Sequence, residues 1–385
     1  MKKIILFTSD LYQGGVAEST RKLAKLLSEE DYHVLICSYD NLPICKYISK
    51  NCDIISLNCP LSAGFRNDPK ISGLVKITRY ICLPYAFIKY LLICYKFKPE
   101  ISYSLTYIPN ILNIMSSYFF SHKIIVSERQ DPREDLRTNS LISKILKKLY
   151  PRADKIHANS EEMIYAIKEF YNVGNDKIYH FNNFFFKDEI IQLSKEYVDL
   201  SDFNKKYKII TSGRLSKQKG QWHIFPILKK LLDLGMDVEL LILGDGELKE
   251  NLIIDIEKYD LVNRVHFLGN VDNPHKYVVK CDLFIFPSIW ESFGNTLVEA
   301  MALSIPVAST ICRSGPFQII DNGKYGLSLG IFPRYEEALS QKHIDELGGK
   351  IKDILLNPNE YSLKSKIGYQ RFDAVSIKND IYALF

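Results

Sequence analysis

At 385 residues the chain is long enough for two core-forming domains. Hydrophobic residues at 46% and charged residues at 25% describe a soluble globular protein and exclude a disordered one. The net charge of +5 is modest, and no interleaving of basic and aromatic residues supports nucleic-acid binding.

In chain order, strand-like apolar runs fall at 3–8, 33–39, 53–57, 101–104, 123–127, 155–159 and 177–181, with helical patterns between most of them. A polar segment follows at about 187–206. The alternation then restarts at 207–213, 238–243, 265–268, 283–287, 305–309 and 326–329. Alternation of this kind predicts parallel sheets covered by helices on both faces, and the restart predicts two such domains. No short-period repeat is visible.

The first run opens on MKKIILFTSD, whose apolar stretch is too short for a secretory signal. ICLPYAFIKYLLICYKF is the longest apolar candidate elsewhere. Pro84 and Lys89 interrupt it, and it is shorter than a membrane span, so it reads as a buried domain helix, with a helix dipping into a membrane surface as the alternative. The eight cysteines show no C-x-x-C pair and no zinc spacing with histidine. They read as reduced core residues of a reducing compartment. Residues 1–190 hold 26 Lys/Arg against 20 Asp/Glu. That excess is a solvated surface that could also face an anionic acceptor or leaflet.

Chemistry concentrates at the strand ends. KKIILFTSDLYQGGVAESTRKLAKLL is a strand, a loop with Gly14 and Gly15, and a helix. The glycine pair lets backbone approach a ligand, and the helix points its positive end at the loop. YKIITSGRLSKQKGQ is a strand followed by Arg214 and Lys219, a planar fork and a point charge spaced to converge on one anion. In CDLFIFPSIWESFGNTLVEAMALSIPVAST a buried strand ends at Pro287 and a helix starts near Asn295. Glu291 lies in the loop and Glu299 about a turn into the helix. Between them Phe293, Gly294 and Asn295 offer backbone N–H groups, a place to hold phosphate or a sugar oxygen. Gly244-Asp245-Gly246 is turn geometry ahead of a helix.

ESFGNTLVEAM resembles the E-x-F-G-x-x-x-x-E-A motif of retaining, nucleotide-sugar-dependent glycosyltransferases of family four. The segments after residue 207 follow in that family's order, ending in SGPFQIIDNGKYGLSL, which is similar to its Gly-Pro-x-Glu segment. Likeness is strong over about 207–330 and weak over 1–190. It implies the α/β GT-B fold, two Rossmann-like doubly wound domains facing each other across a cleft. Residues 1–190 would form the acceptor-side domain and 191–369 the nucleotide-sugar domain, with the last helix, 370–385, crossing back.

The resemblance also assigns roles. Arg214 and Lys219 stabilise the leaving diphosphate, Glu291 lies near the transferred sugar, and Glu299 holds the ribose. Gly14, Gly15, Phe293, Gly294, Asn295 and Thr296 line the donor. IIVSERQDPRED is similar to the family's acceptor-side loop, which makes Glu128, Arg129 and Asp131 candidates there. A Glu–Arg–Asp pairing that merely fixes the loop is the alternative. The family's usual histidine is replaced by Arg129, and the Glu of Gly-Pro-x-Glu by Gln318. His157 and His180 read as structural.

No Asp-x-Asp sequence is present to hold a divalent metal, so neither metal nor cofactor is expected. The implied reaction moves a hexose or N-acetylhexosamine, with UDP as the expected nucleotide, onto a glycan or polyprenyl-diphosphate-linked sugar. The setting would be synthesis of a surface glycan (capsule, exopolysaccharide or lipopolysaccharide) in the cytoplasm or at the inner membrane face. A sugar-nucleotide epimerase and a catalytically silent binding protein of the same fold are the alternatives.

Overall fold

The structure is a computed structural model, and it describes residues 1–9, 11, 15–40, 50–59, 82–129, 131–135, 141–291, 293–312, 315–335 and 337–385. They group into two compact units: Met1–Phe184 with Lys378–Phe385, and Phe185–Ile377.

The first unit holds a seven-stranded parallel sheet. Its strands are β1 (Lys2–Thr8), β2 (Tyr32–Asp40), β3 (Cys52–Cys59), β4 (Ile101–Leu105), β5 (Lys123–Glu128), β6 (Lys155–Ala158) and β7 (Ile178–His180). The spatial order is β3-β2-β1-β4-β5-β6-β7, which reverses direction between β1 and β4. β1 is buried on both faces from Ile4 to Phe7, as a central parallel strand must be. Phe7 stacks on Tyr90, with centroids 4.4 Å apart.

Tyr90 belongs to the helix Leu83–Phe97, which buries only Ala86, Tyr90 and Cys94. Tyr85, Ile88, Leu92 and Tyr95 on the same helix are exposed. The expected buried domain helix is thus fully buried only along a narrow stripe at i, i+4, i+8. Among the described residues no helix is long and apolar enough to cross a membrane. At the chain end, Lys123 Nζ donates to the carbonyls of Leu384 and Phe385, and Lys155 Nζ to those of Ala383 and Leu384. These bonds tie the last helix, Ala374–Leu384, to the amino ends of β5 and β6.

The second unit repeats the plan with β8 (Tyr207–Ser212), β9 (Val238–Leu243), β10 (Val265–Gly269), β11 (Leu283–Phe286), β12 (Val307–Ser309) and β13 (Leu327–Ser328). Its order is β10-β9-β8-β11-β12-β13, all parallel, reversing between β8 and β11. Period-two alternation divides each strand between two cores. Ile209, Leu240, Ile242, Leu283 and Ile285 enter one. Ile210, Leu241, Leu243, Phe284 and Phe286 enter the other. In open sheets of this winding, ligands collect beyond the carboxyl ends of the strands where the order reverses. In the second unit that place is the pair of loops after β8 and β11.

Candidate functional site

These two loops are stitched together. The carbonyl of Gln218 accepts from the Ile289 amide at 2.8 Å, and Gln218 Nε2 donates to the Trp290 carbonyl at 3.0 Å. Gly220 sits at φ +63°, and a Cβ there would lie 2.4 Å from the Pro287 carbonyl oxygen, so only glycine permits this approach. The result is an ion pair between Lys219 Nζ and Glu291 Oε1. Ser288 Oγ donates to the same carboxylate oxygen at 3.0 Å. The ammonium also stands 5.3 Å from the centroid of the Phe286 ring, a cation–π contact. Burial pushes the nearby Cys312 thiol up to about 12, with the Glu291 charge adding to it, so that sulfur stays protonated.

Arg214 stands apart from this pair. Its guanidinium is largely exposed and pairs with Glu247 at 3.2 Å. Among the described residues Arg214 and Lys219 thus each hold their own carboxylate.

Beyond Glu291 the chain turns through Gly294, at φ +123°, into the helix Asn295–Ala302. Its N-cap is Gly294, which has no side chain to cap it, and its amino end carries partial positive charge. Phe293 anchors the turn. Its ring is buried edge-on to Phe372, with centroids 5.6 Å apart. One turn into the helix, Glu299 Oε2 lies 3.5 Å from His275 Nε2. Both line a small cavity with Ser212, Pro274 and Thr296. Thr296 Oγ1 is buried there with no hydrogen-bond partner. His275 Nδ1 is 3.2 Å from Asn273 Oδ1, and the Asn273 oxygen also accepts from the His275 amide. A carboxylate, a hydroxyl and an imidazole in one cavity can together receive vicinal hydroxyl groups.

Gly315 and Pro316 open the helix Pro316–Ile320. Arg371 donates to the carbonyls of Gln318 (3.1 Å) and Ile319 and lies 4.3 Å from the Tyr325 ring. It is the Gln318 main chain that Arg371 holds.

The remaining candidates belong to the first unit. Gly14 lies outside the described residues, and Gly15 begins the helix Gly15–Ser28. Glu128, Arg129 and Asp131 do not pair with one another, so the loop-fixing triad is not formed. Glu128 is buried and accepts from Tyr150 Oη (2.8 Å) and Tyr171 Oη (2.7 Å). Asp131 pairs with Arg133 at 2.7 Å, which also reaches Glu162 and Glu169. Arg129 is buried and held by Asn183 Oδ1 (2.6 Å) and Tyr103 Oη (3.0 Å). His157 completes this group: Nδ1 lies 2.9 Å from Tyr103 Oη and Nε2 3.0 Å from the Phe181 carbonyl. Burial, then the Arg129 charge, holds the His157 imidazolium pKa well below its usual value, so the ring is neutral.

Ser288, Glu247, His275, Tyr103 and Asn183 escaped the sequence reading. Only the Pro-His start of a short helix after β10 hinted at His275.

An uncharacterized glycosyltransferase of Methanocaldococcus jannaschii is 32% identical over 297 residues, covering 70% of this chain and 73% of that protein. The chain belongs to the glycosyl transferases group 1 family, family four. The model of that family, Glycosyl transferases group 1, matches residues 195–370 of the glycosyltransferase. The Campylobacter jejuni N-acetylgalactosamine-N,N'-diacetylbacillosaminyl-diphospho-undecaprenol 4-alpha-N-acetylgalactosaminyltransferase is 28% identical over 385 residues, 99% of this chain and 98% of that one. Among solved structures, Anabaena HepE in complex with UDP and glucose superposes with a TM-score of 0.78 at 18% identity, covering 100% of this chain and 99% of that one. At that identity the likeness establishes the fold, which is GT-B.

Proposed function

We propose that this glycosyltransferase moves a hexose or N-acetylhexosamine from a UDP-sugar, with retention of anomeric configuration, onto a polyprenyl-diphosphate-linked glycan during surface polysaccharide synthesis. The observation that carries the reading is Lys219, pinned by Glu291 where the strand order of the second sheet reverses. The full-length similarity to the Campylobacter enzyme supports the lipid-linked acceptor, and the UDP in the HepE complex supports the nucleotide.

In this mechanism the nucleotide lies over the loops after β8 and β11. Glu299 accepts two ribose hydroxyls, and Thr296 supplies a further polar contact. The diphosphate meets Lys219, Arg214 and the amino end of the Asn295–Ala302 helix. These positive charges stabilise the leaving group as the sugar C1–O bond breaks. The acceptor oxygen bonds to C1 on the same face, and its proton passes to the departing phosphate oxygen. Glu291 holds Lys219 in place and accepts from sugar hydroxyls. With no Asp-x-Asp sequence, the protein's own cations carry the charge, and transfer proceeds without a divalent metal.

The test is transfer from a panel of UDP-sugars to undecaprenyl-diphosphate-linked oligosaccharide, with product stereochemistry read by NMR. A new α-linkage from an α-configured donor, formed in chelator, is expected. An inverted product, or sugar rearrangement without any acceptor, would overturn the reading.

A further inference from the structure

The cavity beside Glu299 holds an ionisable side chain to which the donor reading gives no task. His275 opens the short helix His275–Val278, and its side chain is only 13% exposed. Asn273 fixes the protonation of one ring nitrogen. Asn273 Nδ2 donates to the Leu193 carbonyl at 2.8 Å, and Asn273 Oδ1 accepts from the His275 amide at 3.0 Å. These two bonds settle which end of the amide is oxygen. The atom 3.2 Å from His275 Nδ1 is therefore an acceptor only, so Nδ1 carries a proton.

The other nitrogen faces a carboxylate. Nε2 lies 3.5 Å from Glu299 Oε2 and is buried with no hydrogen-bond partner. In a neutral ring with its proton on Nδ1, Nε2 would turn a lone pair towards that negative charge. Two acceptors face to face repel, and more strongly away from water. A proton on Nε2 turns the repulsion into attraction. His275 is thereby an imidazolium with one N–H committed to Asn273 and the other unspent.

The charges around the ring agree. Ser212 lines the cavity from the end of β8, Phe284 from β11, and Thr296, Glu299 and Ala300 from the helix Asn295–Ala302. Of these Glu299 alone is charged. The helix Lys187–Ser194 also packs against His275–Val278. Its Asp188 and Glu189 are exposed, and its Lys187 lies 5.7 Å from the Tyr369 ring centroid. Lys276, next to the histidine, reaches Glu196 at 3.8 Å.

We propose that His275 binds the nucleotide as an imidazolium, its Nε2–H donating to one of the ribose hydroxyls that Glu299 accepts. That hydroxyl lies between opposite charges, taking a hydrogen bond from the ring and giving one to the carboxylate. Hydroxyl oxygen suits the place because it both accepts and donates. An ether oxygen could only accept and would leave Glu299 unmet. The contact needs the charged ring, so nucleotide binding takes up a proton and weakens as pH rises. The inference rests on the ribose placement proposed above.

The test is calorimetric titration of UDP-glucose into the full chain at about pH 6 and about pH 8, in two buffers of different ionisation enthalpy. The diphosphate of UDP-glucose is a diester with no proton to exchange in this range, so any linkage belongs to the protein. Affinity is expected to be roughly tenfold weaker at the higher pH, the scale of one charge-assisted bond. The buffer comparison should show proton uptake. UDP-glucose lacking the bridging hydroxyl, tested as the 2'-deoxy and 3'-deoxy analogues, should bind more weakly and lose the pH dependence. That comparison needs no variant. His275→Gln supplies an uncharged N–H donor, so it should bind with intermediate affinity, equal at both pH values. His275→Ala should bind weakly at both. Three results would overturn the proposal and leave the nucleotide site standing: equal affinity of the parent protein at both pH values, proton release in place of uptake, or a pH dependence that persists in His275→Gln. No binding of UDP-glucose at either pH would overturn the donor reading along with it.

Discussion

Lys219 and Glu291, far apart in sequence, meet as an ion pair that joins the two loops at the reversal point of the second sheet. Each is less than a quarter exposed, so the pair is partly shielded from water. Lys219→Ala is expected to lower kcat by roughly a hundredfold or more, the scale of losing one preorganised charge from a developing oxyanion, while the fold persists. Glu291→Gln keeps the Ser288 bond but releases Lys219. UDP should then bind at least as tightly as to the parent, while kcat falls. Steady-state kinetics beside UDP titration separates the two effects.

Arg214 is expected to behave differently because it is exposed and pairs with an exposed Glu247. Arg214→Ala should change stability by less than about 0.5 kcal/mol. Its effect should fall on UDP-sugar affinity and diminish as salt is raised. Chemical denaturation and titrations at two ionic strengths check both statements.

The proposed ribose contact rests on Glu299 and its cavity. The parent protein should prefer UDP over 2'-deoxy-UDP, because removing a hydroxyl takes a hydrogen bond away from a partly buried carboxylate. In Glu299→Ala the preference should vanish and UDP affinity should drop. Competitive binding of the two nucleotides to both proteins provides the comparison.

Gly220 has a steric role independent of ligand. Gly220→Ala forces a Cβ against the Pro287 carbonyl from a backbone at φ +63°. A loss of about 1–3 kcal/mol is expected, together with reduced transfer, because the Lys219 loop is displaced. Gly235, also at positive φ but with open space around it, serves as the control for conformational strain alone.

Histidine burial gives stability a pH dependence. Burial drives the His223 pKa down to about 4 from 6.5, aided by His343 and opposed by its bond to the Pro333 carbonyl. Near neutral pH the folded state therefore holds the neutral ring, whose Nε2–H donates to that carbonyl. The unfolded chain binds a proton at higher pH than the folded one. Stability is therefore full above about pH 6.5 and declines as pH falls towards 4. His157 acts in the same direction. Melting temperatures across this range should fall with acidity, and less steeply in His223→Gln.

The sheets were legible because parallel strands buried on both faces read as continuous apolar runs, such as LLIL at 240–243 and LFIF at 283–286. The ESFGNTLVEAM stretch marked the loop and helix of the candidate site through its resemblance to the family motif. Partners distant in sequence were not legible. Nothing in the chain announces that Lys219 pairs with Glu291 and Arg214 with Glu247, or that Glu299 meets His275. In the helix Leu83–Phe97 apolar residues lie on most faces, with Lys89 and Lys96 between them, and this hides the stripe of Ala86, Tyr90 and Cys94 that is buried. In SERQDP, adjacent charges suggested mutual pairing. Alternation along β5 instead sends Glu128 to the tyrosines and Arg129 to Asn183 and Tyr103.

The central claim is that a nucleotide sugar is held in the second unit by Lys219 and Glu299. Calorimetric titration of UDP into the parent protein and into Lys219→Ala with Glu299→Ala, each with and without chelator, tests it most directly. One UDP per chain, with the same affinity in chelator and lost in the double variant, is the expected result. Undiminished binding in the double variant, or no binding to the parent protein, would contradict it.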